Sequence, residues 1–138
     1  MSLTVTYSEQ APAVYGPYSQ AITVGDLIYT SGQIPLDPVG MKVVAGGIEE
    51  QATQTLANLR AVLQTAGSDL DRVVKTTVFL VDLADFAGLN EVYARVFGDH
   101  RPARSTVGVS SLPRGVRVEI EAIALRRLVF PGGPPATR

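Results

Sequence analysis

Two rhythms of apolar and polar positions alternate along the chain. Residues 4–7 (TVTY), 21–24 (AITV) and 27–34 (LIYTSGQI) carry the β-branched and aromatic side chains of strands. The Gly25-Asp26 pair between the last two is a hairpin turn. Over 48–67 the period changes: Ala52, Leu56, Leu59, Leu63 and Ala66 recur at steps of three and four, predicting a helix that stops at Gly67. Residues 72–82 (RVVKTTVFLVD) return to a strand pattern. A second helix follows, capped by Asp82 or Asp85, with Phe86, Leu89, Tyr93 and Val96 or Phe97 as its apolar stripe and Gly98 at its end. Two more strands, 103–109 and 115–128, are joined through SSLPRG. The prolines and glycines of 11–20 and 35–47 mark loops, the first extended and fixed. The tail 129–138 (VFPGGPPATR) reads as mobile and dispensable, which leaves 1–128 as a single domain.

Strands and helices in this order predict an α+β fold, a mixed six-stranded sheet with two helices on one face. The other face is then expected to be polar, and the pattern is not. Alternation through 73–81 puts Val74, Thr76, Val78 and Leu80 on one side and Val73, Lys75, Thr77, Phe79 and Val81 on the other. Both sides are largely apolar, so a second copy of the chain is expected against the uncovered one.

Composition removes several chemistries. The 138 residues suit one domain, and at 46% hydrophobic and 18% charged they favour folding over disorder. A net charge of −1 and a pI near 5.8 give no basic footprint for nucleic acid. With no cysteine there is no disulfide, thiolate nucleophile or Cys-zinc site. His100, in GDHRP, is the one histidine and reads as a loop residue. A Ser-His-Asp triad or a zinc site would have only that ring to rest on. No apolar run approaches about 18 residues, and no charged segment precedes an apolar one at the start. A soluble protein of the reducing cytoplasm is expected, and if it is an enzyme it works through carboxylates, arginine, hydroxyls and backbone groups.

Three charges stand out because they lie in the most apolar third: Arg104 at the head of one strand, Glu119 and Glu121 inside the next. Alternation groups Arg104, Thr106 and Gly108 on one side of their strand. In the last strand it separates Val118, Ile120, Ala122 and Ala124 from Arg117, Glu119, Glu121 and Ile123. If these two strands pair as a hairpin, Arg104 and a glutamate share the face that meets a partner. An interfacial ion pair without further function accounts for that arrangement. So does a ligand site, because an arginine fork donates two parallel hydrogen bonds to a carboxylate. At 4 Å and an effective dielectric near 20, that attraction is roughly 4 kcal/mol. Burial and mutual repulsion should raise the pKa of at least one glutamate. A carboxyl so tuned moves protons near neutral pH, a task worth about 10²- to 10⁴-fold in rate.

The segments GPYSQA, YTSGQIP, VVKTTVFL and PARSTV…LP…VRVEIEAIA resemble the RidA (YjgF-like) family of imine/enamine deaminases, in the same order and over about 11–125. The resemblance implies a chorismate-mutase-like fold and a homotrimer with a barrel-like core and a cleft at each subunit interface. It implies hydrolysis of 2-imino acids, the products of pyridoxal-phosphate dehydratases, to 2-ketoacids and ammonia without metal or cofactor. By motif, Arg104 would anchor the substrate carboxylate, Glu119 would activate water and return a proton to nitrogen, and Tyr18 would close over the ligand. Ser31, Gly32 and Asn90 would line the cleft, as would Thr106, which stands where many relatives have cysteine. Taken singly, Tyr18 also reads as a packed aromatic, Ser31 as a turn hydroxyl, Asn90 as an exposed helix residue and Glu121 as an interface brace.

Three rival readings follow from the same residues. A chorismate-mutase-type reaction needs more cations than these strands supply. A non-catalytic module that binds 2-ketoacids is disfavoured by the presence of both Arg104 and Glu119. A ribonuclease or translation inhibitor would want a positive stripe and stacked aromatics.

Overall fold

In a computed structural model, residues 2–127 of the protein are described. The strands are β1 (Leu3–Thr6), β2 (Ala21–Val24), β3 (Leu27–Thr30), β4 (Val73–Leu80), β5 (Ala103–Gly108) and β6 (Val118–Leu125); the helices are α1 (Ile48–Thr65) and α2 (Phe86–Phe97). The fold is α+β, one mixed sheet in the order β1-β2-β3-β6-β4-β5. Among the described residues only the β4–β5 pair is parallel, and α2 is the crossover between those two strands. The tail expected over 129–138 lies outside the described residues.

Both helices cover the same face. Leu56, Leu59 and Leu63 of α1 and Leu89 and Val92 of α2 are fully buried against Val78, Leu80, Val118 and Ile120. Each such side chain contributes about 1.5–3 kcal/mol on leaving water. Helix α1 stops two residues short of Gly67, whose φ of +90° carries the chain away from it. Asp82 caps a 3-10 turn (Leu83–Asp85) ahead of α2 by accepting from the Ala84 N–H at 2.9 Å. Asp85 precedes α2 without a side-chain cap bond. Phe86 leaves the expected apolar stripe: it is 40% exposed, and Val92 is buried in the core.

Two expectations are corrected. Val73 is buried and Val74 is exposed, because a bulge between Val73 and Lys75 inserts Val74 as an extra residue opposite β6. From Lys75 onward the predicted alternation holds, with Thr76, Val78 and Leu80 inward. Strands β5 and β6 do not form a hairpin, since β4 runs between them. The chain from β5 crosses β4 through a tight turn at Pro113–Gly115 before β6 begins. This changes which charges share a face. Arg104 aligns with Thr76 and Ala122 on the helix-covered side, whereas Glu119 and Glu121 align with Phe79 and Thr77 on the bare side.

That bare side carries Leu3, Val5, Tyr29 and Val107, all well exposed in the single chain, with Phe79 and Ile123 partly so.

Candidate functional site

Arg104 projects from the edge strand β5 towards α2. Its guanidinium carbon sits 4.7 Å from the centre of the Tyr93 ring and 5.5 Å from that of Phe86. These are cation–π distances, and the rings fix the guanidinium plane without consuming its N–H donors. Among the described residues Arg104 has neither a carboxylate nor a hydrogen-bond acceptor of its own. Beneath it the Tyr93 hydroxyl and Thr76 Oγ1 share a hydrogen bond of 2.7 Å, which locks the ring from below. Burial raises the Tyr93 phenol above its ordinary pKa, and the Thr76 bond and the Arg104 charge only partly oppose that. Asn90 follows Phe86 by one turn of α2 and precedes Tyr93 by another, so it shares their face of the helix. Thr106 lies two residues beyond Arg104 on the same side of β5; its hydroxyl is buried with no partner among the described residues.

Glu119 belongs to a different cluster. Backbone bonds between Gln33 and Ile120, 2.8 Å and 3.0 Å, seat the segment after β3 alongside β6. Gly32 then packs directly on Glu119: a Cβ at position 32 would lie 1.9 Å from Glu119 Oε2. Only glycine leaves this carboxylate where it is. Burial raises the Glu119 pKa above the ordinary value, and the neighbouring Glu121 charge pushes it the same way. A carboxyl raised in this way is tuned towards proton transfer. Ser31 is held by its N–H to the Gln20 carbonyl and by its hydroxyl to the Ser19 carbonyl, 2.9 Å and 2.6 Å. Gln20 ties down the preceding loop through its side-chain amide, which donates to the Ser8 and Pro12 carbonyls. Tyr18 rides on that anchored loop and is 54% exposed. Gly32 and Tyr18 also line a cavity of about 210 Å³, with Pro12, Ile34, Met41 and Pro113.

The seven predicted residues therefore fall into two groups. Arg104, Asn90 and Thr106 belong to the β5–α2 edge; Glu119, Gly32, Ser31 and Tyr18 belong to the β3–β6 region. The registers put two strand spacings and three residues between Arg104 and Glu119. At about 4.8 Å per strand and about 3.3 Å per residue their Cα atoms are about 14 Å apart, with the side chains on opposite faces. A single protomer does not bring them onto one small ligand.

Phe86 and Tyr93 as the platform for Arg104 were missed, because their spacing reads as an ordinary apolar stripe. The partial exposure of Phe86, which only the structure reveals, separates the two roles. His100 is a loop residue, as expected, with Nε2 2.7 Å from the Val73 carbonyl.

The profile of a protein family described as Endoribonuclease L-PSP matches residues 8–126. A mouse protein named 2-iminobutanoate/2-iminopropanoate deaminase is 51% identical over 122 residues, covering 88% of this chain and 90% of its own. The crystal structure of the yeast protein YEO7 superposes with a TM-score of 0.89 at 48% identity, over 91% of this chain and 100% of that one. The structure of E. coli TdcF with bound serine gives a TM-score of 0.85 at 41% identity, over 89% of this chain and 98% of the other.

Proposed function

Because the chain belongs to the Endoribonuclease L-PSP family, which includes the RidA and YjgF proteins, we propose that it hydrolyses reactive 2-imino acids to 2-ketoacids and ammonia. The observation that carries this reading is the Arg104 guanidinium, laid on two rings with no anion of its own chain among the described residues. A fork held open in this way suits a ligand carboxylate. The mouse relative named as an imine deaminase supports the reaction class.

In the proposed site, Arg104, Asn90 and Thr106 of one protomer face Glu119, Ser31, Gly32 and Tyr18 of another. The apolar bare face supports such an assembly, because exposed Leu3, Val5 and Val107 gain by leaving water. The homotrimer implied by the resemblance has this form. Arg104 holds the substrate carboxylate and so fixes the C2 carbon of the C=N bond. Glu119, as carboxylate, accepts a proton from water as the new C–O bond forms and returns it to the nitrogen as the C=N π bond opens. In the resulting 2-amino-2-hydroxy acid the hydroxyl proton passes by way of Glu119 to the amino nitrogen, the C–N bond breaks as C=O forms, and ammonia leaves the 2-ketoacid. Every atom is accounted for by substrate and water, and Glu119 returns to its starting charge. Tyr18 closes over the ligand, and Thr106, whose buried hydroxyl has no partner among the described residues, belongs to the Arg104 side of the proposed site.

The test is a coupled assay. A pyridoxal-phosphate dehydratase supplies the imino acid, and ketoacid release is followed with and without the protein. Acceleration above the spontaneous rate is expected; its absence across several dehydratase substrates overturns the reading. The ribonuclease named in the family's description finds less support, since His100 is engaged with a backbone carbonyl.

A further inference from the structure

Among the described residues, two non-glycine residues have left-handed backbone, Met41 at φ 57° and Arg114 at φ 60°, and both line the cavity beside Gly32. Strain of this kind persists where surrounding structure requires it, and it concentrates at ligand sites. Arg114 follows Pro113 and precedes Gly115, itself at φ 69°, in a turn closed by the Val116 N–H to the Pro113 carbonyl at 3.3 Å. Two successive left-handed residues favour Asn, Asp or Gly at the first position, so arginine is an unfavourable choice for the turn itself. Its guanidinium has no ion pair or hydrogen bond among the described residues. None of the residues lining the cavity is acidic. Ile34, Leu36, Met41 and Pro113 make part of the wall apolar, and Tyr15 and Tyr18 add two phenols.

We propose that this cavity receives the side chain of an acidic substrate, with Arg114 taking a second carboxylate, so that 2-imino dicarboxylates are the favoured substrate class. The inference rests on the deaminase reading and adds to it a cation in the Glu119 half of the site. Apolar walls suit two or three methylene groups, and an exposed arginine, unpaired among the described residues and bordering a cavity whose lining includes no acid, suits a terminal anion. Arg104 fixes the carboxylate next to the reacting carbon, and Arg114 reads the far end.

Binding of two five-carbon products, 2-oxopentanedioate and 2-oxopentanoate, to the full-length protein by calorimetry separates the outcomes. The dicarboxylate is expected to bind about tenfold more tightly, the value of one charge-assisted contact, and the preference should shrink as salt rises. Arg114→Asn suits the left-handed turn and removes the charge; it should bring the two affinities within about twofold of each other. Arg114→Gly, which has no left-handed cost, must do the same. Equal binding of both acids to the wild-type protein, or a preference that survives both substitutions, overturns this inference and leaves the deaminase reading standing. If neither acid binds, the deaminase reading falls, and this inference with it.

Discussion

The two charged clusters solve opposite problems by opposite means. On the β5–α2 edge a cation is kept without an anion: Tyr93 and Phe86 support Arg104 through their ring faces, and its donors stay unused. On β6 an anion is kept without an ion pair among the described residues: Glu119 is partly desolvated, crowded by Glu121 and abutted by Gly32, so its proton is held more tightly than usual. Had the two shared a face of one protomer, they would have neutralised each other. Separating them by β4 and by the plane of the sheet preserves both charges for the ligand of the proposed shared site. In the proposed assembly, a site shared between protomers is then a consequence of sheet order rather than an addition to it.

Removing the cation should break the comparison most severely. Arg104→Ala is expected to lower turnover by about 10³-fold, as when a desolvated charge partner is lost, and Arg104→Lys should recover little because a point charge lacks the fork. Glu119→Gln keeps shape but loses the base; about a 10²- to 10³-fold loss in kcat is expected, with 2-ketoacid affinity retained. The informative experiment dissociates and reassociates the two inactive variants together. In a ring of randomly mixed protomers about a quarter of the interfaces regain both groups, and that share of activity should return. No recovery, with mixed oligomers confirmed by mass spectrometry, would place both groups within one protomer's site and remove the proposed division.

A milder change sharpens the comparison from the Glu119 side alone. Gly32→Ala puts a methyl where the Glu119 carboxylate stands, 1.9 Å from Oε2. The side chain must swing away while the backbone stays, so kcat should fall about 10- to 100-fold with a small change in melting temperature. Retained kcat would show that the carboxylate has freedom to spare.

Most elements were legible in the sequence because hydrophobic period and turn residues agree. The steps of Leu56, Leu59 and Leu63 fix α1, and Gly25 with Asp26 fixes the β2–β3 hairpin. Strand order was not legible. Nothing local in residues 103–125 announces that β4 inserts between β5 and β6, because pairing is decided by helix packing over long sequence separations. The bulge at Val74 was hidden for a related reason: an extra residue in a uniformly apolar run leaves no break in pattern. For the proposed site, the motifs nominate the residues, whereas their division into two clusters needed the topology. The aromatic platform under Arg104 was masked because core stripe and cation support use the same residues at the same spacing.

The smallest expected effect concerns stability against pH, and it tests whether the two clusters meet. In the single chain the Glu119 pKa is raised by burial and by Glu121, so the folded state binds that proton more tightly than the unfolded one. Folding therefore gains from Glu119 below the ordinary carboxylate range and loses that gain as pH rises through the raised value. Glu119→Gln carries no such dependence. Its melting temperature relative to the native sequence should be unchanged in acid and should climb across that window. A partner's guanidinium beside Glu119 would oppose the trend by favouring the charged form. In an Arg104→Ala background the climb should be steeper, since the desolvated carboxylate is then left alone. Melting curves of the four proteins, taken from acid to neutral pH at low ionic strength, give the comparison directly. If the climb is the same with and without Arg104, the two charges do not sense each other in the assembled protein, and the shared site is lost with that result.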